Sequence, residues 1–256
     1  VGEVVEPTRS VSTEQIGTAA PLGRPPLVVD LSSLWAGPLC AHVLGRHGAR
    51  VVKVESRTRP DGARAGPADF FDWLHGGHDS VVLDLTEPDG RQRLRQLLLA
   101  ADVVIEASRP RALQQLGVVA RDIVRDGPRV WISITGYGRQ AAPLAVAFGD
   151  DAAAAGGLVA WGEDGVPRFA VDAIADPLSG LAAAGAAHRA LDRGGRWMID
   201  VAMAGVAAAV VGADAGRTWD AVPSNDAAQP RAEPPRATAH ALGADTDAVF
   251  AELGLA

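Results

Sequence analysis

The feature that most constrains this chain is an alternation between short apolar, β-branched runs and segments of helical period. LVVDL (27–31), RVVKVE (50–55), SVVLDL (80–85), DVVIE (102–106) and RVWISI (129–134) have the length and composition of buried strands. Strands apolar on both faces belong in a mainly parallel sheet covered by helices on each side. Helical segments separate them. PLCAHVLGRHG (38–48) is closed by Gly48, and a second helix has Thr86 as its cap, Pro88 in its first turn and RLRQLLLA as its apolar stripe. Shorter helices are predicted around 111–116 and 119–125, and helices over 177–192 and 202–211 flank a further strand, RWMIDVA. This order predicts the α/β class, a mainly parallel sheet flanked by helices.

The flanks differ. Residues 1–25 are polar and irregular and predict a flexible arm; 213–243, with prolines at 223, 230, 234 and 235, reads as a proline-rich linker. DTDAVFAELG predicts a short helix within 244–256, with Asp245 or Thr246 as cap and Gly254 as stop. The body is therefore expected over 26–212. A net charge of −7 disfavours a nucleic-acid surface, and no apolar run has transmembrane length. The N-terminus lacks a signal-peptide pattern, and a single cysteine, Cys40, cannot form an intrachain disulfide; both point to the cytoplasm. Cys40 reads as a buried packing residue. The six histidines show no metal-ligand spacing, so no metal is expected. Lys53 is the only lysine.

One aspartate stands out. In DAIADPLSGLAAAGAAHRAL (172–191), Asp176 precedes a proline at the start of a long alanine-rich helix. Such a residue is either the helix cap or a carboxylate held at the helix's positive end.

LVVDLSSLWAGPLCAHVLGRHGARVVKVE, FFDWLHGGHDSVVLDL, ADVVIEASRPRALQQLG, ISITGYG and AIADPLSGL occur in that order, and the C-terminal LGADTDAVFAELG follows. Together they resemble the class III CoA-transferases, the formyl-CoA and carnitine-type enzymes, a family that also contains α-methylacyl-CoA racemases. The resemblance covers about residues 27–212. It implies a Rossmann-like large domain, coenzyme A as the acyl-CoA substrate, and a carboxylic acid as acceptor. It selects Asp176 as the nucleophile. For CoA it implies Leu34 and Trp35, the loop from Ser56 and Arg57 to Arg64, the segment His75 to His78, the triplet Ala107, Ser108 and Arg109 with Gln115, and the loop Thr135, Gly136, Tyr137 and Gly138. Amides of Gly136 and Gly138 would serve a developing oxyanion.

The chain departs from that pattern. Members of the family commonly carry Asn at the place of Ala107, a basic residue at that of His78, and often Arg near Gln115. Arg57, Arg59, Arg64, Arg109 and Arg111 are candidate replacements for phosphate binding. The family's small domain would lie between Gly212 and Arg236, where this chain has only the linker. Three readings follow: a CoA-transferase, a CoA-binding subunit paired with a full-length paralogue, or a racemase. The racemase needs a second base; FGDDAAAAGG has Asp150 and Asp151 but no histidine, so racemisation would require Asp150 as that base. Apolar stretches at 152–160 and 202–211 exceed what such a chain covers alone, so a homodimer is expected.

Overall fold

A computed structural model describes residues 10–108, 110–139, 145–212 and 233–255. Six parallel strands form the body of a sheet: β2 (Leu27–Asp30), β3 (Arg50–Ser56), β4 (Asp79–Leu83), β5 (Val103–Glu106), β6 (Val130–Thr135) and β9 (Arg196–Ala202). One antiparallel edge strand, β1 (Val11–Gly17), completes the seven-stranded order β1-β9-β6-β5-β2-β3-β4. A separate hairpin pairs β7 (Val159–Trp161) with β8 (Pro167–Phe169).

The alternation of side chains along each strand divides the core in two. Val28, Val51, Val103, Ile105, Ile132 and Ile199 face α1 (Ala36–Arg46), α7 (Ala175–Arg193), α6 (Gly149–Ala155) and α8 (Met203–Gly212). Val29, Val52, Val81, Val104 and the fully buried Trp131 face α3 (Pro88–Ala100), α5 (Ala120–Asp126) and α9 (Thr246–Glu252). Small residues let α7 approach closely. A Cβ on Gly180 would stand 2.5 Å from the carbonyl oxygen of Ala36 in α1. Two shorter helices, α2 (Ala68–His75) and α4 (Pro110–Gln115), lie between β3 and β4 and between β5 and β6 in the chain.

Three expectations need correction. Residues 11–17 are no arm: VSTEQIG pairs along β9, from Val11 opposite Val201 to Gln15 opposite Trp197. An edge strand with a solvated side carries no continuous apolar run, so composition disguised it. Thr86 does not cap α3; its hydroxyl turns back to Asp84 and Glu87 takes the N-cap position. The end of the expected linker is also packed. Ala239 N–H donates to Asp72 Oδ1 at 2.9 Å, and Gly243 N–H to Ser80 Oγ at 3.0 Å. The segment 213–232 lies outside the described residues.

At α9, Asp245 takes the N-cap position without capping. Its carboxylate reaches across to Ser80 N–H at 2.8 Å, while Thr246 Oγ1 accepts from Val82 N–H at 3.0 Å. Those side chains satisfy the outer edge of β4, which would otherwise be open for pairing. Gly254, at φ +65°, follows the helix end in the left-handed conformation expected of a stop.

Candidate active site

The strand order reverses between β2 and β5, which sit side by side while their successors lead in opposite directions. In open parallel sheets ligands gather at the carboxyl ends of strands beside such a switch. The loops after β2 (31–35), β3 (57–65), β5 (107–108) and β6 (136–138) all emerge at this edge. It therefore carries Leu34, Trp35, Ser56, Arg57, Arg64, Ala107, Ser108, Thr135, Gly136, Tyr137 and Gly138 together.

The groups differ in what they can offer. Arg57 and Arg59 are exposed, and among the described residues no ion pair engages either guanidinium. Ala107, Arg111 and Gln115 are exposed too. Arg64, by contrast, is committed within the protein. It forms a bidentate pair with Glu55 (Nε–Oε1 3.0 Å, Nη2–Oε2 2.6 Å), donates to Ser80 Oγ and the His240 carbonyl, and lies 4.5 Å from the Phe71 ring centre. As placed, it has no free fork for a phosphate. Ser108 turns inward to Glu106, which also holds Arg139. Arg109 lies outside the described residues.

His75 and His78 are buried beside α1. Burial, then the nearby Lys53 charge, holds His75 down at about 2; burial, then His42 and Lys53, holds His78 at about 3. Both rings are neutral at physiological pH and unsuited to balance phosphate charge. Cys40 is fully buried, and burial pushes its thiol well up, as befits a packing residue. Asp79, His240 and Asp245 bring ligand atoms within 4.8 Å of one another. Their carboxylates are already engaged, Asp79 by Arg50 at 2.8 Å and Asp245 by Ser80 N–H and His240.

Asp176 lies in the first turn of α7, with Ile174 as N-cap, and no side chain caps the helix. The carboxylate is turned off its own helix toward Gly149 N–H at the start of α6; a Cβ on Gly149 would overlap Asp176 Oδ2. Asp150 stands beside it with Oδ1 accepting from Ala173 N–H at 2.8 Å, and Asp151 accepts from Phe148 N–H at 3.1 Å. Ala173 is held at φ +45°, a conformation costly for a residue with a Cβ, and its carbonyl accepts Asp176 N–H at 2.9 Å. Burial raises the Asp176 carboxyl to about 6; the Gly149 amide pulls it down and Asp150 pushes it further up. A carboxylate destabilised as an anion, yet mostly ionised at neutral pH, is a competent nucleophile or base.

The 135–138 loop reaches this carboxylate only indirectly. Gly136 packs against Ala147, and Gly138 N–H donates to Thr135 Oγ1 at 3.0 Å. The Gly138 amide is thus spent, which removes it as the expected oxyanion donor. Sequence reasoning names Asp150 as the one candidate for a second base, but nothing in the sequence points to Gly149 or Ala173 as partners of Asp176. Gly149 and Asp176 lie 27 positions apart in the chain, and no local periodicity links them.

Comparison with known proteins gives a consistent picture. The profile of CoA-transferase family III matches residues 26–244. Succinate–glutarate CoA-transferase of Agrobacterium fabrum is 33% identical over 68% of this chain and 49% of its own length. Human α-methylacyl-CoA racemase is 36% identical over 44% of this chain and 28% of its own. A CAIB/BAIF family protein from Brucella suis superposes with a TM-score of 0.69 at 27% identity, covering 77% of this chain and 57% of that one. The chain spans about half or less of the length of the curated relatives it matches.

Proposed function

Because the chain belongs to CoA-transferase family III, we propose that it moves coenzyme A between an acyl-CoA and a carboxylic acid, with Asp176 as nucleophile. The observation that carries this reading is the Asp176 carboxylate itself: half-buried, turned from its own helix, and raised to about 6 by burial. In the proposed sequence a carboxylate oxygen attacks the thioester carbon, the C–S bond breaks, and CoA leaves as thiolate with an acyl-aspartyl anhydride behind it. The thiolate then attacks the aspartyl carbonyl, releasing the first carboxylic acid and leaving an aspartyl-CoA thioester. The acceptor carboxylate attacks that thioester, and the returning thiolate collects the new acyl group and frees Asp176. No proton need be removed from the nucleophile, only water excluded and the group positioned.

For CoA, the reading uses the switch-point edge, with Leu34 and Trp35 on one side and Arg57 and Arg59 as the phosphate-binding cations. Arg64, His75 and His78 take supporting places behind that surface. The protein acts in the cytoplasm as a homodimer. Incubation with acetyl-CoA and succinyl-CoA, followed by intact mass measurement, tests the chemistry: a hydroxylamine-labile adduct mapping to Asp176 is expected. With the only lysine buried, no side-chain amine competes for the acyl group. An unlabelled Asp176 under turnover conditions would sink the proposal.

A second reading, racemisation of a 2-methylacyl-CoA, draws on the adjacent carboxylates of Asp150 and Asp176, the second of which burial and then its neighbour Asp150 raise above the ordinary range. Deuterium incorporation at the α-carbon in heavy water, without CoA exchange, would favour it. The third reading is a CoA-binding subunit paired with a longer paralogue. CoA binding with no adduct would point there.

A further inference from the structure

We infer that Lys53 is a positioning residue that ties the loop after β2 to the loop after β3 and so sets the shape of the edge that faces CoA; the inference rests on the CoA-binding reading above. Its side chain is 2% exposed and occupies the space under both loops. Nζ donates to the Ser32 carbonyl in the first loop and to Asp61 Oδ2, 2.8 Å away, in the second. A third, longer approach of 3.8 Å faces Asp30 Oδ2, which has no hydrogen-bond partner. Asp30 is Lys53's register neighbour across β2 and β3, so the pairing is built into the sheet.

The Asp61 carboxylate passes the constraint on. With Oδ2 held by Lys53, its other oxygen accepts from Leu34 N–H and Ala63 N–H, both at 3.0 Å. Leu34 sits at φ +71°, a left-handed conformation that a leucine adopts only when its surroundings impose it. The bond from Asp61 is part of that imposition, and it presents the Leu34 side chain outward, 43% exposed. Ser32 is fixed at the same time, its N–H donating to Asp30 Oδ1 at 2.9 Å and its hydroxyl to the same oxygen. Beyond Asp61 the chain of bonds runs through Glu55, which accepts Asp61 N–H at 2.9 Å, to Arg64. Lysine suits this place because its compact ammonium directs three donors from one point, which the flat guanidinium of arginine does not. At 2% exposure the ammonium lies beneath both loops, out of a substrate's reach.

The test uses Lys53→Met and, because a lone buried carboxylate opposes folding, the double variant Lys53→Met/Asp61→Asn as the folded counterpart, in which Asp30, already raised by burial, can hold a proton. Hydrogen exchange read by mass spectrometry should accelerate about ten-fold or more in peptides covering 31–36 and 57–65, with β5 and β6 unchanged. CoA affinity, by calorimetry, should fall about ten-fold or more, and the catalytic loss should lie in KM for acyl-CoA more than in kcat. Wild-type exchange in both loops of the folded double variant overturns the inference. So does loosened exchange with unaltered CoA affinity. Failure of the wild-type protein to bind CoA overturns the functional reading instead, and the exchange data then decide the loop-positioning claim alone.

Discussion

At the scale of single residues, Asp176 makes two separable predictions. Its carboxyl titrates near 6 in the folded protein, above its ordinary 3.8, because burial penalises the anion. A folded-state pKa that is raised means the native state holds its proton more tightly than the unfolded chain. Stability from this group is therefore present at low pH and lost as pH rises through about 4 to 6. Asp176→Asn removes the penalty and keeps an oxygen for Gly149 N–H. The variant should melt above wild type at about pH 8, and the difference should close near pH 4. Thermal melts at the two pH values check this. In activity the same substitution should abolish the covalent adduct and lower turnover by about 10⁴-fold or more. The wild-type rate should rise with pH through an apparent pKa near 6, since only the ionised carboxyl attacks.

At the scale of elements, the first turn of α6 and the first turn of α7 act as one unit. Gly149→Ala places a methyl group against Asp176 Oδ2 and 2.5 Å from the Ala173 carbonyl oxygen, so one of the two turns must move. A stability loss of about 1–3 kcal/mol is expected in denaturant melts, with loss of acylation, although Gly149 has no side chain to contribute. The edge of β4 offers a second case. Asp245 and Thr246 occupy backbone donors of Ser80 and Val82, and the carboxyl of Asp245 stays below its ordinary range because the Ser80 amide and His240 outweigh its slight burial. Asp245→Ala leaves Ser80 N–H without that acceptor and should cost about 1–3 kcal/mol. The cost should shrink on acidification, since a depressed carboxylate contributes above its unfolded pKa and loses its effect as it is protonated.

At the scale of the whole molecule, the β7–β8 hairpin is the surface most in need of a neighbour. Val159 pairs with Phe169 and Trp161 with Pro167, so these four side chains share one face of a two-stranded ribbon. Trp161 is 70% and Phe169 64% exposed, and two-stranded ribbons are marginal without cover. If this face closes the proposed homodimer, Trp161→Glu should convert dimer to monomer in sedimentation velocity. The change to the monomer's own stability should be about 0.5 kcal/mol or less, because the exposed ring makes little of the core. Wild-type protein sedimenting as a monomer at micromolar concentration would remove the dimer.

The sequence by itself determined the parallel body of the fold. Val- and Ile-rich runs of strand length, spaced by helices, leave few other ways to bury both strand faces, and β2 through β6 and β9 lie where those runs lie. Its five short blocks in family order also point, through the resemblance, to Asp176 and the loops after the strands. What it left undecided was everything set by approach across the fold. Whether Asp176 caps its helix or faces another depended on Gly149 arriving from a different element. Whether Arg64 and His75 meet solvent depended on Glu55 and on the burial of α2. VSTEQIG became a strand because β9 offered it an edge. Lys53 is the single lysine in the sequence, and only the fold brings Asp30, Ser32 and Asp61 around it. Local periodicity records which face of an element is buried; it carries no record of which distant polar group will stand opposite, and the charge and pairing of a buried group are decided there.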